Sequence, residues 1–277
     1  IAAAGVFLWS IMTAFTGMAK NFAHLIVARA LIGVGESALT PNSISMLSDV
    51  YNQNKRGTAS AIYYLGIPLG VGLAMLIASI FGPMFGWRAV FISLGLIGVV
   101  LAIITYFLIE PIRGQLDNVS QNDEKSMSIR EIISLTKSTL YNSKSLTLII
   151  VGSIFLHIPL GAGNFEVLWA VNERGFTASE YNSLFGIFFI IGGSIGAVLG
   201  GVLSDKLNHL FKNGVMSFLT ISYLVLIPLT ISYRFVDPNT FIFYFTLFFI
   251  SLNVTFFYGP VFGSVQALTP VKVRSTM

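Results

Sequence analysis

Two charged residues seven positions apart, Arg29 and Glu36, lie in an otherwise apolar stretch of the chain. Seven residues are close to two helical turns, so the side chains share one helix face about 10 Å apart and are not expected to bond directly. A charge in such surroundings normally faces a partner or a polar cavity. Arg29 stays cationic, whereas a buried glutamate changes protonation with its surroundings. The pair predicts a proton switch at Glu36 and an anion contact at Arg29; the alternative is a static ion network.

Polar residues also interrupt two other apolar stretches. The segment HIPLGAGNFE carries His157, Asn164 and Glu166 beside proline and glycine, which predicts a locally broken helix that exposes polar groups to a cavity. Asn253 and Tyr258 stand in a second stretch that is otherwise apolar. We expect these five side chains to contact a substrate. The alternative is that they are hydrogen-bonded or packed inside the protein.

Glycine and proline indicate a bend that moves during gating in the segment YYLGIPLGVGL. Gly66 and Gly70 are one turn apart, so the backbone of a neighbouring helix can approach closely. Pro68 leaves a carbonyl without its amide partner and favours a bend. Static close packing is the alternative explanation for all three residues.

A second gating segment is the turn GGVLSDKLNHLFKNG. Gly200 and Gly201 allow close helix approach. Asp205 and Lys206 follow at the predicted membrane boundary, where an acid can cap a helix or pair with an arginine. The alternative is a solvated loop.

The elements that must position these residues are indicated by the scarcity of charge. Of 277 residues, 55% are apolar and only 10% are charged, against roughly 25% in soluble proteins. This composition excludes a soluble enzyme, a disordered chain and a nucleic-acid binder. The chain has no cysteine, and its three histidines lie too far apart to share a metal, so no cofactor or metal is predicted. The remaining class is a protein embedded in a lipid bilayer.

Eight apolar stretches are long enough to cross the hydrocarbon core, which takes about 20 helical residues. Runs of this length are too long for barrel strands, so we predict an all-α polytopic membrane protein. The predicted spans are Ile1–Ala19, Asn21–Ser48, Gly57–Trp87, Ala89–Ile109, Ser145–Val171, Tyr181–Ser204, Asn213–Tyr233 and Pro238–Val271.

The placement of Lys and Arg predicts the orientation. If the chain starts in the cytoplasm, eleven of these residues lie in cytoplasmic loops. Four lie on the opposite side, namely Lys20, Arg88, Arg174 and Arg234, and Arg29 lies within a helix. Because basic loops tend to stay in the cytoplasm, both ends of the segment are predicted to be cytoplasmic in a cell membrane, either an inner or a plasma membrane.

The chain divides into two halves of four spans. We predict helical bundles over residues 1–112 and 146–277, joined by a cytoplasmic linker over 113–145 that holds nine of the 28 charges. Within the linker, SMSIREIISL forms an amphipathic segment whose apolar residues could lie on the membrane surface: Met127, Ile129, Ile132, Ile133 and Leu135. The sequence opens inside an apolar run and closes in a polar one, so we expect an internal segment of a longer protein.

A short repeat relates the halves, because Arg56 and Arg274 are each followed by a small residue and threonine, 218 positions apart. Without gaps, this offset pairs Arg29 with Leu247 and Glu36 with Val254. The halves therefore agree in architecture and differ in intramembrane charge.

Three motifs resemble the major facilitator superfamily. The run from Arg29 through Gly33 and Gly35 resembles its R-x-x-x-G-x-G motif, and GWRAVF at 86–91 resembles the G-W-R-x-x-F at the start of its sixth helix. The segment GVLSDK at 201–206 resembles the loop signature G-x-L-[AS]-D-[RK], although LNHLFKNG replaces the usual Gly-Arg-Arg. The resemblance implies helices three to ten of a twelve-helix, two-bundle transporter.

The run GVGESALTPNSISMLSDVY, followed by Arg56 and IYYLGIPLGVGL, is similar to the Spinster branch. That branch implies proton-linked export of lysolipids and sphingoid phosphates. Its members couple protons through the residues matching Arg29 and Glu36, together with an aspartate on the first helix. The resemblance also implies that Asp49, Arg56 and Asp205 belong to an inner gate.

We therefore expect a monomeric secondary active transporter that binds protons and an amphiphilic or anionic small molecule and works by alternating access. An organic-anion or sugar-acid symporter that uses Arg29 for a carboxylate is the alternative within the class. A polytopic membrane enzyme and a receptor-like protein are rivals from other classes; the first lacks a metal or nucleophile constellation, and the glycine-rich helices disfavour the second.

Overall fold

The computed structural model describes residues 2–51, 59, 62–108, 128–163, 165–207, 210 and 214–269, and within these ranges the regular structure is helical. The helices are α1 Ala2–Met18, α2 Phe22–Ser37, α3 Leu39–Val50, α4 Gly66–Tyr106, α5 Ile129–Asn142, α6 Lys144–Gly163, α7 Glu166–Arg174, α8 Ala178–Phe188, α9 Ser194–Leu207, α10 Val215–Ser232, α11 Phe241–Phe256 and α12 Tyr258–Leu268. A π-helical turn, Phe189–Gly193, joins α8 to α9.

The all-α membrane fold is confirmed, and each of the eight predicted spans contains at least one helix. By length and composition, four helical stretches of the described chain can each cross a membrane, and a bent pair adds a fifth. One of the four, Ile62–Tyr106, has 45 residues, which is about 68 Å of helix and twice the hydrocarbon thickness. Gly86 divides it, because its φ of 76° and ψ of 157° are not helical.

The G-W-R motif, residues 86–88, lies at this kink in α4. A φ of 76° favours glycine at position 86 because a side chain would clash with the backbone there. Arg88 lies over the ring of Trp87 with 4.3 Å between the guanidinium carbon and the ring centre, and its Nη2 donates to the Ala19 carbonyl at 3.4 Å. The residues just after Gly86 thus attach the middle of α4 to the end of α1.

The residues group into two compact units, and the division differs from the predicted linker boundary. Unit 1 comprises Ile1–Ser60 and Ile80–Ser126, and unit 2 comprises Ala61–Ser79 and Met127–Met277. The first turns of α4 therefore pack with unit 2. The physical reason is close helix contact: Ser179 donates to the Ser79 carbonyl at 2.6 Å, and a Cβ on Gly72 would lie 2.8 Å from the Gly186 carbonyl oxygen.

Helix packing in unit 1 depends on glycine pairs. A Cβ added to Gly5 of α1 would lie 2.7 Å from the Gly35 carbonyl oxygen, and one added to Gly35 would lie 2.7 Å from that of Gly5. The two backbones touch at this crossing, as small residues allow in membranes. Gly95 of α4 packs in the same way on Ser10 and Ala14 of α1.

Unit 2 contains two apolar clusters. The first joins α6, α10, α11 and α12 around Leu146, Phe218, Phe256 and other buried side chains. The second joins α7, α8, α11 and the π turn around Tyr181, Tyr233 and Phe243. Helices α6 and α7, which the sequence places in one span, therefore belong to different clusters.

The predicted helix break in HIPLGAGNFE is confirmed, since α6 ends at Gly163 and α7 begins at Glu166. The prediction that Gly66 and Gly70 admit a neighbouring backbone is wrong. A Cβ at either position would meet nothing within 4 Å, whereas Gly72 makes the close contact, facing Gly186 and Ile190. The spacing of Gly66, Gly70 and Gly72 allows close packing on more than one face of the helix. Spacing alone does not show which of these faces meets a neighbouring helix.

The helix bounds agree with the repeat to within one residue. Helix α2 begins at 22 and ends at 37, while α11 begins at 241 and ends at 256, so both differences are 219. Helices α3 and α12 begin 219 apart, at 39 and 258, and end 218 apart, at 50 and 268. Helix ends are assigned only to within one or two residues, so the offset of 218 stays a prediction. Aligned by the starts of the helices, Glu36 corresponds to Thr255 and Arg29 to Phe248.

Candidate functional site

Arg29 and Glu36 both lie on α2 in unit 1 with exposed side chains. The guanidinium carbon of Arg29 is 5.4 Å from the centre of the Phe91 ring. Neither residue forms an ion pair with a described residue, and they do not bond to each other. The described part of the chain thus holds two unpaired charges on one helix, as expected from their spacing.

Glu166 lies at the centre of a second charged group, in unit 2. Its Oε1 accepts from Nη2 of Arg234 in an ion pair, and its Oε2 accepts from the Tyr233 hydroxyl at 2.5 Å. The Tyr181 hydroxyl donates to the same Oε2 at 3.5 Å. The Glu166 side chain is 14% exposed and that of Arg234 is 35% exposed. We call Glu166, Arg234, Tyr233, Tyr181 and Trp169 the Glu166 cluster.

Trp169 supplies an aromatic surface for the cations of this region. The guanidinium carbons of Arg234 and Arg174 lie 4.3 Å and 5.0 Å from its ring centre. Arg234 also lies 4.9 Å from the ring centre of Tyr233. A guanidinium over an aromatic face is attracted by the ring quadrupole. The arrangement therefore holds Arg234 between an indole, a phenol and a carboxylate.

Tyr233 follows the last residue of α10 and is almost completely buried. Its hydroxyl donates to the Glu166 carboxylate, so the buried phenol has a hydrogen-bond partner. Together these contacts fix the first turn of α7, a helix of only nine residues, to the end of α10.

The substrate role expected for Glu166 competes with this network. Both carboxylate oxygens already accept hydrogen bonds from the protein, so a substrate cation would have to displace Arg234. The substrate contact at Glu166 stays a prediction. Arg234 was not predicted as its partner, because in the sequence this arginine indicated only the orientation of the chain in the membrane. The available signal was the adjacent Tyr-Arg pair at the end of an apolar span.

His157 and Tyr258 come together in unit 2, as two of the expected substrate contacts. Their rings are 6.0 Å apart at 83°, and His157 also meets Phe257 edge-on at 5.1 Å. Nδ1 of the exposed His157 lies 2.7 Å from the Ser153 carbonyl oxygen. If this nitrogen carries the proton, Nε2 of a neutral ring is left as an acceptor.

Tyr258 belongs to a stack of three nearly parallel rings. Its ring centre lies 6.3 Å from that of Tyr64 and 5.8 Å from that of Phe262, and the last two are 5.8 Å apart. The start of the Ile62–Tyr106 helical stretch is thereby packed against α12. The stack provides apolar contact area next to His157.

Asn253 on α11 carries a buried Oδ1 that has no hydrogen-bond partner in the part of the chain that the structure describes. Its backbone carbonyl accepts from the Tyr223 hydroxyl at 3.5 Å. A buried amide oxygen without a donor is uncommon in proteins. This acceptor is compatible with the predicted substrate contact, which stays a prediction.

The predicted gating residues are described only in part. Arg56, like the predicted substrate contact Asn164, lies outside the described residues, and the side chains of Asp49 and Asp205 also fall outside the description. Pro68 is buried. It has no amide hydrogen to donate to the Tyr64 carbonyl, and the chain forms a turn at Leu65, just before α4 begins. Lys206 is exposed in the last turn of α9. Their gating role stays a prediction.

Gly201 stands beside a close helix crossing of α9 and α12. A Cβ on Gly259 would lie 3.3 Å from the Gly201 Cα, while a Cβ on Gly201 itself would meet nothing within 4 Å. Its neighbour Gly200 faces α11, where a Cβ would overlap the Phe256 carbonyl oxygen. The expected close approach at this pair of glycines is confirmed as packing.

The π turn was not predicted from the sequence. Thr255 of α11 donates to the Gly193 carbonyl in this turn at 2.5 Å. A π turn leaves backbone groups out of the regular hydrogen-bond ladder, and such turns are frequent at functional sites. The glycine-rich run IIGGSIG was a signal for close approach, but periodicity does not distinguish a π turn from an α-helix.

These features define a class: a polytopic α-helical membrane protein with a duplicated helix pattern and a few charges inside its apolar helices. The family model of the Major Facilitator Superfamily matches residues 1–277, and the chain belongs to that superfamily. It is therefore an integral membrane protein.

The similarity to Spinster-type proteins is also confirmed. The chain is 30% identical over 216 residues to the sphingosine-1-phosphate transporter SPNS2 of Danio rerio, covering 73% of this chain and 42% of that protein. It is 25% identical over 211 residues to protein spinster of Drosophila melanogaster, covering 75% and 35%. The chain thus spans less than half the length of these curated relatives.

A solved structure shares the fold. It is a crystal structure of a bacterial homologue of the human lysosomal transporter Spinster in an inward-facing and occupied conformation. The TM-score is 0.63 at 23% identity, and the alignment covers 99% of this chain and 61% of that one. At this identity the likeness shows the fold alone.

Proposed function

We propose that the protein is a proton-coupled secondary active transporter in which Glu36 binds the coupling proton and Arg29 binds an anionic group of the substrate. The observation that carries this proposal is the pair of exposed charges on one face of α2, neither of which forms an ion pair with a described residue. Charges in apolar helices are expensive and are commonly kept for ion or substrate pathways. Its superfamily membership and the transporters among its relatives support the class.

Proton binding at Glu36 would bias alternating access. A protonated carboxyl is neutral and tolerates apolar surroundings, whereas the ionised form requires water or a cation. States in which the surroundings of Glu36 are dry therefore favour the proton, and states open to water release it. A proton gradient then shifts the population between the two states.

The contact between Arg29 and Phe91 suits anion binding. An arginine over a ring keeps its N–H donors in the guanidinium plane, where they can bind a carboxylate or phosphate in bidentate fashion. An amphiphile with an anionic head is the proposed substrate class, with its aliphatic tail along phenylalanine-rich helices. The relative named as a sphingosine-1-phosphate transporter supports this class.

A second candidate is a symporter of small organic anions that uses the same residues. The chain is 32% identical over 104 residues, 38% of its length, to a probable L-galactonate transporter of Escherichia coli, of which it covers 23%. It also resembles a 3-(3-hydroxy-phenyl)propionate transporter of that organism at 27% identity over 205 residues. Both candidates predict an anion at Arg29 and differ in the need for a tail.

The test is transport by the full-length protein in liposomes under an imposed pH gradient. In Glu36→Gln we expect gradient-driven flux to be lost while exchange of substrate between equal pH compartments continues. Glu173→Gln, which removes an exposed carboxylate in the last turn of α7, is the matched control and should leave both activities unchanged. Unchanged gradient-driven flux in Glu36→Gln would refute proton coupling at this residue.

The substrate class is tested in the same liposomes with a lysophospholipid and a sugar acid. Arg29→Lys keeps the charge but loses the bidentate fork, so we expect KM to rise about 10-fold, in line with the loss of one hydrogen bond to a charged group. Preference for the lysophospholipid supports the amphiphile, and preference for the sugar acid supports the second candidate. An unchanged KM in Arg29→Lys and Arg29→Gln would remove Arg29 from the site.

A further inference from the structure

Helix α5 meets α6 at an angle of 99°. Helix α6 belongs to an apolar span. A helix at 99° to an upright membrane-crossing helix lies within about 10° of the membrane plane, and at the usual tilt of spans, about 20°, it stays within about 30° of that plane. The bend is held by a hydrogen bond, since the Thr147 hydroxyl donates to the Leu140 carbonyl at 2.8 Å. Helix α5 is therefore fixed nearly parallel to the predicted membrane surface.

The start of α5 is also fixed. Ser128 and Glu131 form a capping box, in which the Glu131 carboxylate accepts from the Ser128 backbone amide at 2.7 Å and the Ser128 hydroxyl accepts from the Glu131 amide. Glu131 is the only acidic residue of this helix. Its carboxylate is thus held at the N-terminal end of the helix.

One side of α5 packs against the protein, and another is open. Thr139 is buried, and Leu135, about 40° from it around the helix, is half-buried. Leu140 lies between Ile129 and Ile133 around the helix and, next to the bend, packs against the first apolar cluster of unit 2. By contrast, Ile129 is 78% exposed and Ile133, one turn later, is 49% exposed. Two large apolar side chains in one row on a helix parallel to the membrane require an apolar environment to cover them.

Basic and aromatic residues form the row beside these isoleucines. At 100° per residue, Lys137 and Tyr141 each lie within about 20° of Arg130 around the helix, next to Ile129 and Ile133. Tyr141 is 89% exposed. Lys144 follows at the bend, so residues 129–144 carry three basic side chains against one acidic one.

We propose that Ile129, Arg130, Ile133, Lys137 and Tyr141, here called the interfacial face, bind the anionic phospholipid headgroups of the bilayer surface. The isoleucines enter the boundary between headgroups and acyl chains, while Arg130 and Lys137 extend to the lipid phosphates and Tyr141 lies at headgroup level. Apolar and basic rows side by side match a lipid surface better than a soluble partner. This site is independent of the proposed transport mechanism.

The depth of α5 is measured with spin labels on the full-length protein in nanodiscs. This chain has no cysteine, so Ile133→Cys introduces a label position on the interfacial face within it. Ser138→Cys lies about 140° away from position 133 and is the matched control. We expect the label at 133 to be relaxed by oxygen dissolved in the lipid and the label at 138 by a water-soluble nickel complex. A water-exposed label at 133 would overturn the proposal.

Headgroup selectivity is measured by native mass spectrometry with nanodiscs of phosphatidylcholine and phosphatidylglycerol. Each basic residue at an anionic surface is worth about 1 kcal/mol, so neutralising two should lower the preference for phosphatidylglycerol about 30-fold. Arg130→Gln with Lys137→Gln is the test variant, and Arg130→Lys with Lys137→Arg is the charge-conserving control. An unchanged preference in the test variant, or crosslinks from position 133 to a second protein copy, would contradict lipid binding at this face.

Discussion

Removing Arg234 is expected to destabilise the protein more than removing its partner Glu166. In Arg234→Leu, the Glu166 carboxylate keeps only the hydroxyls of Tyr233 and Tyr181 as donors and is 14% exposed. In Glu166→Gln, Arg234 keeps its contact with Trp169 and has about a third of its surface in solvent. The two single variants thus leave unequal charges unpaired.

The magnitude follows from burial. Breaking a buried ion pair by removing one partner costs about 3–5 kcal/mol. Partial exposure of Arg234 lowers this figure through solvent screening, which suggests about 3 kcal/mol for Arg234→Leu. Glu166→Gln conserves shape and a hydrogen-bond acceptor, so its cost is about 1–1.5 kcal/mol. The double variant, Arg234→Leu with Glu166→Gln, has no unpaired charge at this ion pair and should be about 1 kcal/mol more stable than Arg234→Leu alone.

The assay is thermal unfolding of the full-length protein in detergent, followed by tryptophan fluorescence. At about 2–4 °C per kcal/mol, Arg234→Leu should lower Tm by about 6–12 °C. Arg174→Leu is the matched control, because Arg174 also lies over Trp169 but has no ion-pair partner among the described residues; its effect should stay below about 1 kcal/mol. A loss below about 0.5 kcal/mol in Arg234→Leu, or a larger loss in Glu166→Gln, would refute the reasoning.

Three further variants test the packing. Gly200→Ala places a methyl group against a backbone carbonyl that cannot rotate away, so we expect a loss of about 3 kcal/mol in unfolding measurements, whereas Gly152→Ala, in open space, should cost nothing. Gly86→Ala forces a side chain to a φ of 76° and should cost about 1–3 kcal/mol in the same assay. Thr255→Val leaves the Gly193 carbonyl without its donor and should lower stability by about 1–2 kcal/mol; no change would remove this bond from the stabilising contacts.

The helices were predictable because their signals are local. An apolar run of about 20 residues must be helical in lipid, since every backbone group needs a partner within the chain. The break before Glu166 was predictable for the same reason, because one proline and two glycines within a few residues weaken a helix by themselves. Neither inference requires knowledge of which helices are neighbours.

The contacts between helices were much less predictable. Gly66, Gly70 and Gly72 look alike in sequence, yet Gly72 is the one with a neighbouring backbone. Arg234 and Glu166 are 68 positions apart, and the ion pair between them depends on how α7 packs against the end of α10. Sequence spacing reports which residues share a helix face, but it does not report which face meets which helix.

The repeat gives Glu36 a structural counterpart. Aligned by the starts of α2 and α11, its position corresponds to Thr255, which is buried and donates to a carbonyl of the π turn in unit 2. That position in α11 therefore accommodates a polar side chain because a backbone acceptor lies opposite it. In α2 the same position carries a carboxylate, which has no hydrogen to donate when ionised and one to donate when protonated. A duplicated helix thus places a titratable group where its counterpart makes a fixed hydrogen bond, and protonation is the change that would make the two positions chemically alike.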